Sequence, residues 1–328
     1  MHRFIRYLLA LTAALALQTQ PITTAHAQPT YPTKPLRMVV GYLPGGAADN
    51  VARLVANKLG TELGQQVIVD NKPGAGSTLG TAAVAKSAPD GYTLLMGSTT
   101  GISSAPHLYK NLPYDPRRDL VPVALVAQMP QVLVVHPSVP ATDLRGLVEW
   151  IKKGGTPVNY ASFGNGTSAH LTMELLKNAA GLDLRHIPYK GSSAALTDVI
   201  GGQVLVAMDT FQATQPFVQA GKLRAIAMSG KARSSLAPQL PTFAELGYPA
   251  MTLGLWFGVF APADTPRPIV DALTDALTRL MQTPGMRAQL AQQGAEPMLL
   301  TGVAARDFLG TDRAQWAEAA RVSGARLD

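Results

Sequence analysis

Cysteine is absent from the 328 residues of this chain, and charged residues make up only 15% of it. Without cysteine the chain forms no disulfide, so core packing alone must stabilise its fold. The 28 Lys and Arg residues form no basic block and are not interleaved with aromatic residues. That pattern argues against nucleic acid as a partner. The hydrophobic fraction of 47% is ordinary for a globular protein and supplies a sizeable core.

A long apolar run occurs only at the amino terminus. Arg3 and Arg6 precede an apolar stretch from Tyr7 to Leu17, and Ala25-His26-Ala27 follows as a small-x-small site. This pattern is typical of a cleaved secretory signal over residues 1–27, because about 11 apolar residues are too few to span a bilayer. No cysteine follows the signal to carry a lipid anchor. We therefore expect a free periplasmic protein.

The rest of the sequence alternates between short apolar runs and helical patterns. The runs "LRMVVGY", "QVIVDN" and "YTLLMG" each lead into a turn of small residues and a helix-like segment, and "VNYAS", "LRHIPY" and "VLVAMDT" repeat the arrangement. Apolar runs of about five residues that alternate with helices are typical of parallel strands buried on both faces. The sequence therefore predicts an α/β fold with right-handed crossovers.

Two long apolar segments, residues 120–137 and 252–266, fit passages between domains. If both are crossovers, residues 28–125 and 255–328 form one discontinuous domain, and residues 126–254 form the other. Two parallel hinge strands between two α/β lobes describe a clamshell. The ligand cleft is then expected between the lobes.

Glycine-rich turns follow four predicted strands, at the strand ends where ligands bind in open parallel sheets. Glycine lets the backbone approach a ligand closely, and a helix start adds unpaired N–H donors and partial positive charge. Such turns bind anions without formal cations, although each is also an ordinary tight connection. The candidate ligand-binding residues at these turns and strand ends are Tyr42, Gly45, Gly46, Asp49, Gly76, Ser98, Ser162, Gly164, Asn165, Gly166, Thr167, Ser168, Lys190, Asp209 and Phe211.

Three of the polar candidates also fit structural roles at helix starts. Asp49 fits an N-cap that forms an i,i+4 pair with Arg53. Thr167 and Ser168 fit the cap of the next helix, or they donate hydroxyl hydrogen bonds to a carboxylate. Capping and ligand binding are compatible, so the sequence leaves both roles open.

The remaining candidates leave similar alternatives. Lys190 is either a solvated surface lysine or a ligand contact. Asp209 ends an apolar strand, so it either contacts the ligand or serves the following turn. Tyr42 and Phe211 lie near the loop glycines, where each either walls the pocket or packs into the core.

Enzyme motifs fit the sequence poorly. Gly164-x-Gly166-x-x-Ala169 matches a dinucleotide fingerprint, but the acidic residue Asp183 precedes an apolar run instead of ending the second strand. No G-x-S-x-G elbow is present, and the six histidines form no i,i+3 or i,i+4 pair for a metal. We expect no cofactor and no metal. The alternative from another class is a secreted α/β hydrolase that uses Ser162 or Ser168.

Several motifs occur together and in order, among them "PGGAADNVAR", "APDGYTLLMG", "YASFGNGTSAHL" and "HIPYKGSSAAL". Through them nearly the whole chain after the signal resembles the Bug family, the periplasmic receptors of tripartite tricarboxylate transporters. The resemblance implies a type II periplasmic-binding-protein fold, with two α/β lobes joined by two crossover strands. One departure is Gly41 in "VVGY", where the family usually has a Pro-aromatic pair.

The resemblance also implies which residues bind a ligand and what the protein does. A ligand carboxylate is expected at the Gly45–Gly46 loop with Asp49 and at the Ser162-to-Ser168 loop, with Lys190 and Asp209 as pocket walls. We expect a monomer that captures a di- or tricarboxylate, an amino acid or an aromatic acid. It would deliver that ligand to the membrane permease of a tripartite tricarboxylate transporter. The alternative with the same binding chemistry is a ligand sensor for a membrane kinase.

Overall fold

The computed structural model describes residues 31–327, so the predicted signal at residues 1–27 lies outside the described residues. Over this range the chain forms two sheets with helices on their faces. The first sheet contains β1 (Leu36–Val40), β2 (Val67–Asn71), β3 (Thr93–Ser98), β4 (Leu120–Met129), β10 (Leu255–Pro262) and β11 (Glu296–Leu300). The second contains β5 (Gln131–Val135), β6 (Val158–Ser162), β7 (Leu184–Pro188), β8 (Val206–Thr210) and β9 (Arg224–Met228).

Helices connect most of these strands. They are α1 (Ala47–Leu63), α2 (Thr78–Ala85), α3 (Ala105–Leu108), α4 (Leu144–Lys153), α5 (Ser168–Ala180), α6 (Ser192–Ile200), α7 (Phe211–Gln219), α8 (Arg267–Gln282), α9 (Pro284–Gln292) and α10 (Gly302–Ser323). In α1 the apolar residues Val51, Val55 and Leu59 are buried on one face. The helix ends at Gly64, whose φ of 66° is the left-handed conformation that glycine adopts without strain.

The strand order is β11-β4-β10-β3-β1-β2 in the first sheet and β7-β6-β8-β5-β9 in the second. The prediction of parallel pairing is confirmed for β1 with β2 and β3, and for β6 with β7 and β8. It is wrong for β10, which runs antiparallel to β3 and β4, and for β5, which runs antiparallel to β8 and β9. Burial on both faces gave these strands the same continuous apolar sequence as their parallel neighbours.

The hinge strands are antiparallel and not parallel. The chain leaves the first sheet at the end of β4, turns at Pro130 and enters the second sheet with β5. It returns through β10, which pairs with β4 from Leu255 opposite Met129 onward. Residues 126–129 therefore pair within the first sheet. An outgoing and a returning strand that lie side by side must run in opposite directions.

Each sheet has its own core. In the first, buried apolar residues of β1, β3 and β10 pack against α1 and α8, and a second cluster around Trp256 and Phe260 covers the other face. In the second, α4 and α5 cover one face, while α6 and the start of α7 cover the other. The described residues contain no helix that is long and apolar enough to cross a membrane.

The last helix contacts both cores. Ala305 and Leu309 in its first half pack with Trp256 of the first lobe. Trp316 and Ala319 in its second half are buried in the cluster that covers the second sheet. Helix α10 is therefore a third physical connection between the two lobes, in addition to the two crossings of the strands.

Candidate ligand-binding site

The parallel strands place the candidate loops at two sheet edges. Because β1, β2 and β3 are parallel neighbours, the loops that follow Val40, Asn71 and Ser98 leave the same edge of the first sheet. The loops that follow Ser162 and Pro188, with the start of α7, leave one edge of the second sheet for the same reason. Each lobe therefore presents its turns and its helix N-termini together.

The first glycine-rich loop, which contains Gly45 and Gly46 and leads into α1, is closed by the buried carboxylate of Asp49. Its Oδ2 accepts hydrogen bonds from the Gly45 N–H and from Arg53 Nε, both at 2.9 Å, and its Oδ1 accepts one from Asn71 Nδ2 at 2.9 Å. The predicted i,i+4 pair with Arg53 is confirmed. The N-cap position itself belongs to Gly46, so Asp49 lies in the first turn of α1 and binds back onto the loop.

Asp49 is ionised, and both of its carboxylate oxygens accept hydrogen bonds. Burial opposes its ionisation, but hydrogen bonds from Arg53, the Gly45 N–H and Asn71 outweigh that cost and lower the pKa of the carboxyl. Asn71 also donates to the backbone oxygen of Tyr42 at 3.1 Å, so the loop is fixed to the end of β2. The backbone at Gly45 and Gly46 stays exposed.

Tyr42 and Ser98 lie together at the carboxyl ends of β1 and β3. The Tyr42 hydroxyl and Ser98 Oγ are 2.9 Å apart, with Ser98 buried and Tyr42 half-buried against the core. Gly41, which departs from the family pattern, lies against Ser77, where an added Cβ would come within 2.5 Å of the serine Cβ. Any side chain at position 41 would therefore displace the second loop, which carries Gly76 at a φ of 61°.

The third glycine-rich loop follows β6 in the second lobe; it begins at Gly164 and leads into α5. Thr167 is the N-cap: its Oγ1 accepts the His170 N–H at 3.5 Å and donates to the Gly164 oxygen at 2.7 Å. The predicted cap is thereby confirmed at Thr167. Ser168 is the first residue of the helix, and its Oγ accepts a hydrogen bond from Gln131 Nε2 at 2.7 Å. Asn165, at the tip of the turn, is exposed.

Two histidines lie beneath this loop. The Gly166 N–H donates to His170 Nδ1 at 3.0 Å, and His186 Nε2 lies 2.7 Å from Ser162 Oγ. The two rings stack with centroids 3.9 Å apart. Spacing along the sequence does not predict this pair, because its contact depends on the register of β6 against β7, which places His186 opposite Tyr160.

Asp209, at the end of β8, is completely buried. Its Oδ1 accepts hydrogen bonds from Ser192 Oγ and the Thr210 N–H, both at 2.7 Å, while Oδ2 has no partner among the described residues. Burial raises the pKa of this carboxyl to about 6, although the hydrogen bonds from Ser192 and Thr210 oppose that shift. The structure thus joins Asp209 to the turn that follows β7.

Two candidates near this turn differ in exposure. Lys190 is exposed. Phe211 is buried, begins α7 and packs in the cluster between α6 and the second sheet.

Among the described residues, no group of three or more His, Asp or Glu side chains is arranged to hold a metal ion. A surface groove of about 580 Å³ lies against Arg53, Gln65 and Val67, where β2 begins.

Comparisons with known proteins identify relatives that match most of the chain. Residues 51–319 match the family described as tripartite tricarboxylate transporter family receptor. The chain is similar to protein BugT of Bordetella pertussis, with 38% identity over 316 residues that cover 95% of this chain and 96% of BugT. The match thus extends over both lobes.

Solved structures share the fold. Rpa4515 of R. palustris, whose structure contains adipate, has a TM-score of 0.84 at 31% identity and covers 90% of this chain and 100% of its own. MatC of Rhodopseudomonas palustris, with bound malate, has a TM-score of 0.79 at 31% identity and covers 88% of this chain and 99% of its own. The predicted two-lobe fold is confirmed. This chain belongs to the tripartite tricarboxylate transporter receptor family.

Proposed function

We propose that this protein is a periplasmic solute receptor that binds a small carboxylate in the cleft between its lobes. The observation that carries the proposal is the placement of loops from parallel strands at one edge of each sheet. Each edge offers neutral donors at helix N-termini, which suit an anion. The adipate and malate in the structures of two relatives support a carboxylate as the ligand class.

Hydrogen bonds within the chain limit which backbone N–H groups can still donate to a ligand. The N–H groups of Gly45 and Gly166 are used within the chain, by Asp49 and His170. We therefore assign ligand binding to the N–H groups of residues 47–49 at the start of α1 and of residues 168–169 at the start of α5, which have no partner within their helices. The His170 N–H is already bonded to Thr167 Oγ1. The walls of the proposed ligand pocket are formed by the backbones of Gly45–Gly46 and Gly164–Asn165–Gly166. The hydroxyl of Ser168 adds a polar group beside them.

The expected affinity follows from a few such contacts. A hydrogen bond to a charged group contributes roughly 1.5–3 kcal/mol. Three or four of them, after the cost of closing the lobes, are enough for a micromolar Kd, which corresponds to about −8 kcal/mol. No covalent step is needed, so the ligand should leave the protein unchanged.

Variants from both lobes test whether one ligand bridges them. We expect Ser98→Ala in the first lobe and Ser168→Ala in the second each to weaken binding of adipate or malate in titration calorimetry. Ser138→Ala is the control, because Ser138 bonds His136 at the far end of β5. Loss of affinity from only one lobe would contradict capture between the two.

Delivery and location complete the proposal. The chain acts in the periplasm as a monomer, and its ligand-bound form docks on the membrane permease of a tripartite tricarboxylate transporter. Cross-linking to co-expressed permease subunits with and without ligand would test the docking step.

The boundary between the lobes is proposed to follow the two sheets. The first lobe then contains residues 126–129 in addition to the predicted first domain of residues 28–125 and 255–328. The second lobe starts at Pro130.

A hydrolase is the second candidate, because His186 Nε2 lies 2.7 Å from Ser162 Oγ. The surroundings oppose this role. Ser162 is completely buried and also bonds the Gly164 backbone, while burial lowers the pKa of His186 to about 3, which makes it a weak base. Turnover of p-nitrophenyl esters that disappears in Ser162→Ala would support hydrolysis over binding.

A further inference from the structure

We propose that His170 and His186 are positioning residues that set the backbone of the Gly164–Ser168 loop for ligand binding. The inference rests on the proposed function, because it takes this loop as part of the ligand site. The two histidines themselves lie below the loop and act through its backbone. The positions of their ring nitrogens carry the argument.

His170 fixes one end of the turn. It lies in the first turn of α5, four residues after Gly166, and its Nδ1 accepts the Gly166 N–H at 3.0 Å. An accepting Nδ1 carries no proton, so the neutral ring holds its proton on Nε2. The residue is only 9% exposed, so water competes little for this contact. Gly166 itself has a φ of 67°, and the contact holds it in this left-handed conformation.

His186 fixes the other end of the turn from the neighbouring strand. Its Nε2 lies 2.7 Å from Ser162 Oγ, and that oxygen also accepts the Gly164 N–H at 3.2 Å. The rings of His170 and His186 are nearly parallel, with 8° between their planes. Gly166 is therefore hydrogen-bonded directly to His170, and Gly164 is linked through Ser162 to His186. The two rings stack, so one pair of histidines holds both glycines of the turn.

The groups around the pair keep it neutral. Helix α5 contributes Glu174 and Lys177, which lie 3.3 Å apart, and Glu174 also accepts the Tyr160 hydroxyl of β6 at 2.7 Å. Burial lowers the pKa of both imidazoles, and Lys177 adds to the effect, while Glu174 opposes it at His170. The packing above the pair is apolar, because Leu108 and Leu327 lie against Gly166.

Protonation of His170 would remove the acceptor. A proton on Nδ1 would point at the Gly166 N–H, and two donors would then face each other. The charge would also lie against the stacked His186 ring. We expect the loop to lose its fixed geometry in acid, and ligand affinity to fall with it. This loss differs from protonation of the ligand, which any variant would share.

The binding test compares replacements that keep or remove the acceptor. In His170→Asn the amide oxygen replaces Nδ1 but does not titrate, whereas His170→Phe keeps a ring without an acceptor. With malate and adipate as probes, we expect the Phe variant to bind up to about tenfold more weakly at pH 7.5, the equivalent of one lost hydrogen bond. The Asn variant should bind nearly as the parent does. His136→Asn is the matched control, because His136 Nδ1 also accepts a backbone N–H, from Ser138 at 3.2 Å.

The pH profile separates positioning from packing. Below pH 6.5 the parent and the His136→Asn protein should lose affinity more steeply than His170→Asn. A parent that binds at pH 7.5 with the same profile as His170→Asn overturns the positioning role and leaves the proposed function intact. A parent that binds neither probe at any pH counts against the proposed function.

Nuclear magnetic resonance tests the same geometry without a ligand. We expect ¹⁵N shifts of His170 to show a proton on Nε2 and an unprotonated Nδ1 at pH 7.5. The Gly166 amide should exchange slowly in the parent and in His170→Asn, and quickly in His170→Phe. A proton on Nδ1, or equal protection of Gly166 in all three proteins, overturns the proposal even if the Phe variant folds poorly.

Discussion

The carboxylate of Asp49 accepts the backbone N–H of Gly45 at 2.9 Å, four residues before it in the chain. One buried side chain thus closes the first loop, receives Arg53 and holds Asn71 at the end of β2. Asp49, which the sequence predicts as a ligand contact, therefore supports the loop that we propose binds the ligand. Its removal should affect stability and binding together.

Asp49→Ala should lower the free energy of unfolding by roughly 3 kcal/mol, because buried donors lose a charged acceptor. Arg53→Ala removes only a half-exposed partner and should cost much less. Urea denaturation of both variants measures the difference. Equal losses for the two substitutions would show that the ion pair, and not closure of the loop, carries the stability.

Gly166→Ala should cost more than the same change at Gly155. Both glycines have a φ of 67°, so the backbone penalty of about 1 kcal/mol is shared. A Cβ at Gly155 meets nothing within 4 Å, whereas at Gly166 it would lie 2.5 Å from a methyl of Leu327 and 2.9 Å from one of Leu108. Thermal unfolding and ligand titration of both variants test this, with binding reduced only by the change at Gly166.

Asp209 should make the protein less stable at neutral pH than in mild acid, because the buried carboxyl must ionise as the pH rises. Its pKa is raised to about 6 in the fold, so between pH 4 and pH 6 the folded state holds a proton that the unfolded state has lost. Stability should therefore fall as the pH rises through this window, by roughly 3 kcal/mol relative to Asp209→Asn. Urea titrations at pH 4.5, 5.5 and 7 measure this difference, which would stay constant if Asp209 were ionised throughout.

Asp312 should stabilise the contact of α10 with both cores. Its two oxygens accept the indole N–H groups of Trp256 at 2.8 Å and Trp316 at 3.1 Å. Asp312→Ala leaves both buried donors without an acceptor and should cost roughly 2–5 kcal/mol. Asp307→Ala, at an exposed position of the same helix, is the control. Denaturation curves of the two variants that coincide would contradict this role.

The sequence predicts the fold better than the site. Apolar runs and turn glycines identify the strands β1 to β3 and β6 to β8, because local pattern determines them. They do not reveal the antiparallel direction of β10, since a strand buried on both faces looks the same in either direction. The second half of α10, predicted within the first domain, packs against the second core through Trp316, a long-range contact that no local pattern records.

The candidate site shows the same limit. Thr167 as an N-cap and the pair of Asp49 with Arg53 follow from spacing along one helix. Gln131 beneath Ser168 and His186 beneath the third loop come from other strands, so their contacts depend on strand order and register. Sequence spacing alone does not bring such residues together.

Titration calorimetry with paired acids and amides tests the central claim most directly. If helix N-termini of both lobes bind a negatively charged ligand, the protein should bind adipate or malate, or another small dicarboxylate, at a ratio of one to one with a Kd near the micromolar range. The matching diamides, which have the same shape without the charge, should bind at least about a hundredfold more weakly, as expected when two charge-assisted contacts are lost. No heat with any carboxylate tested, or equal affinity for acid and amide, would contradict the account.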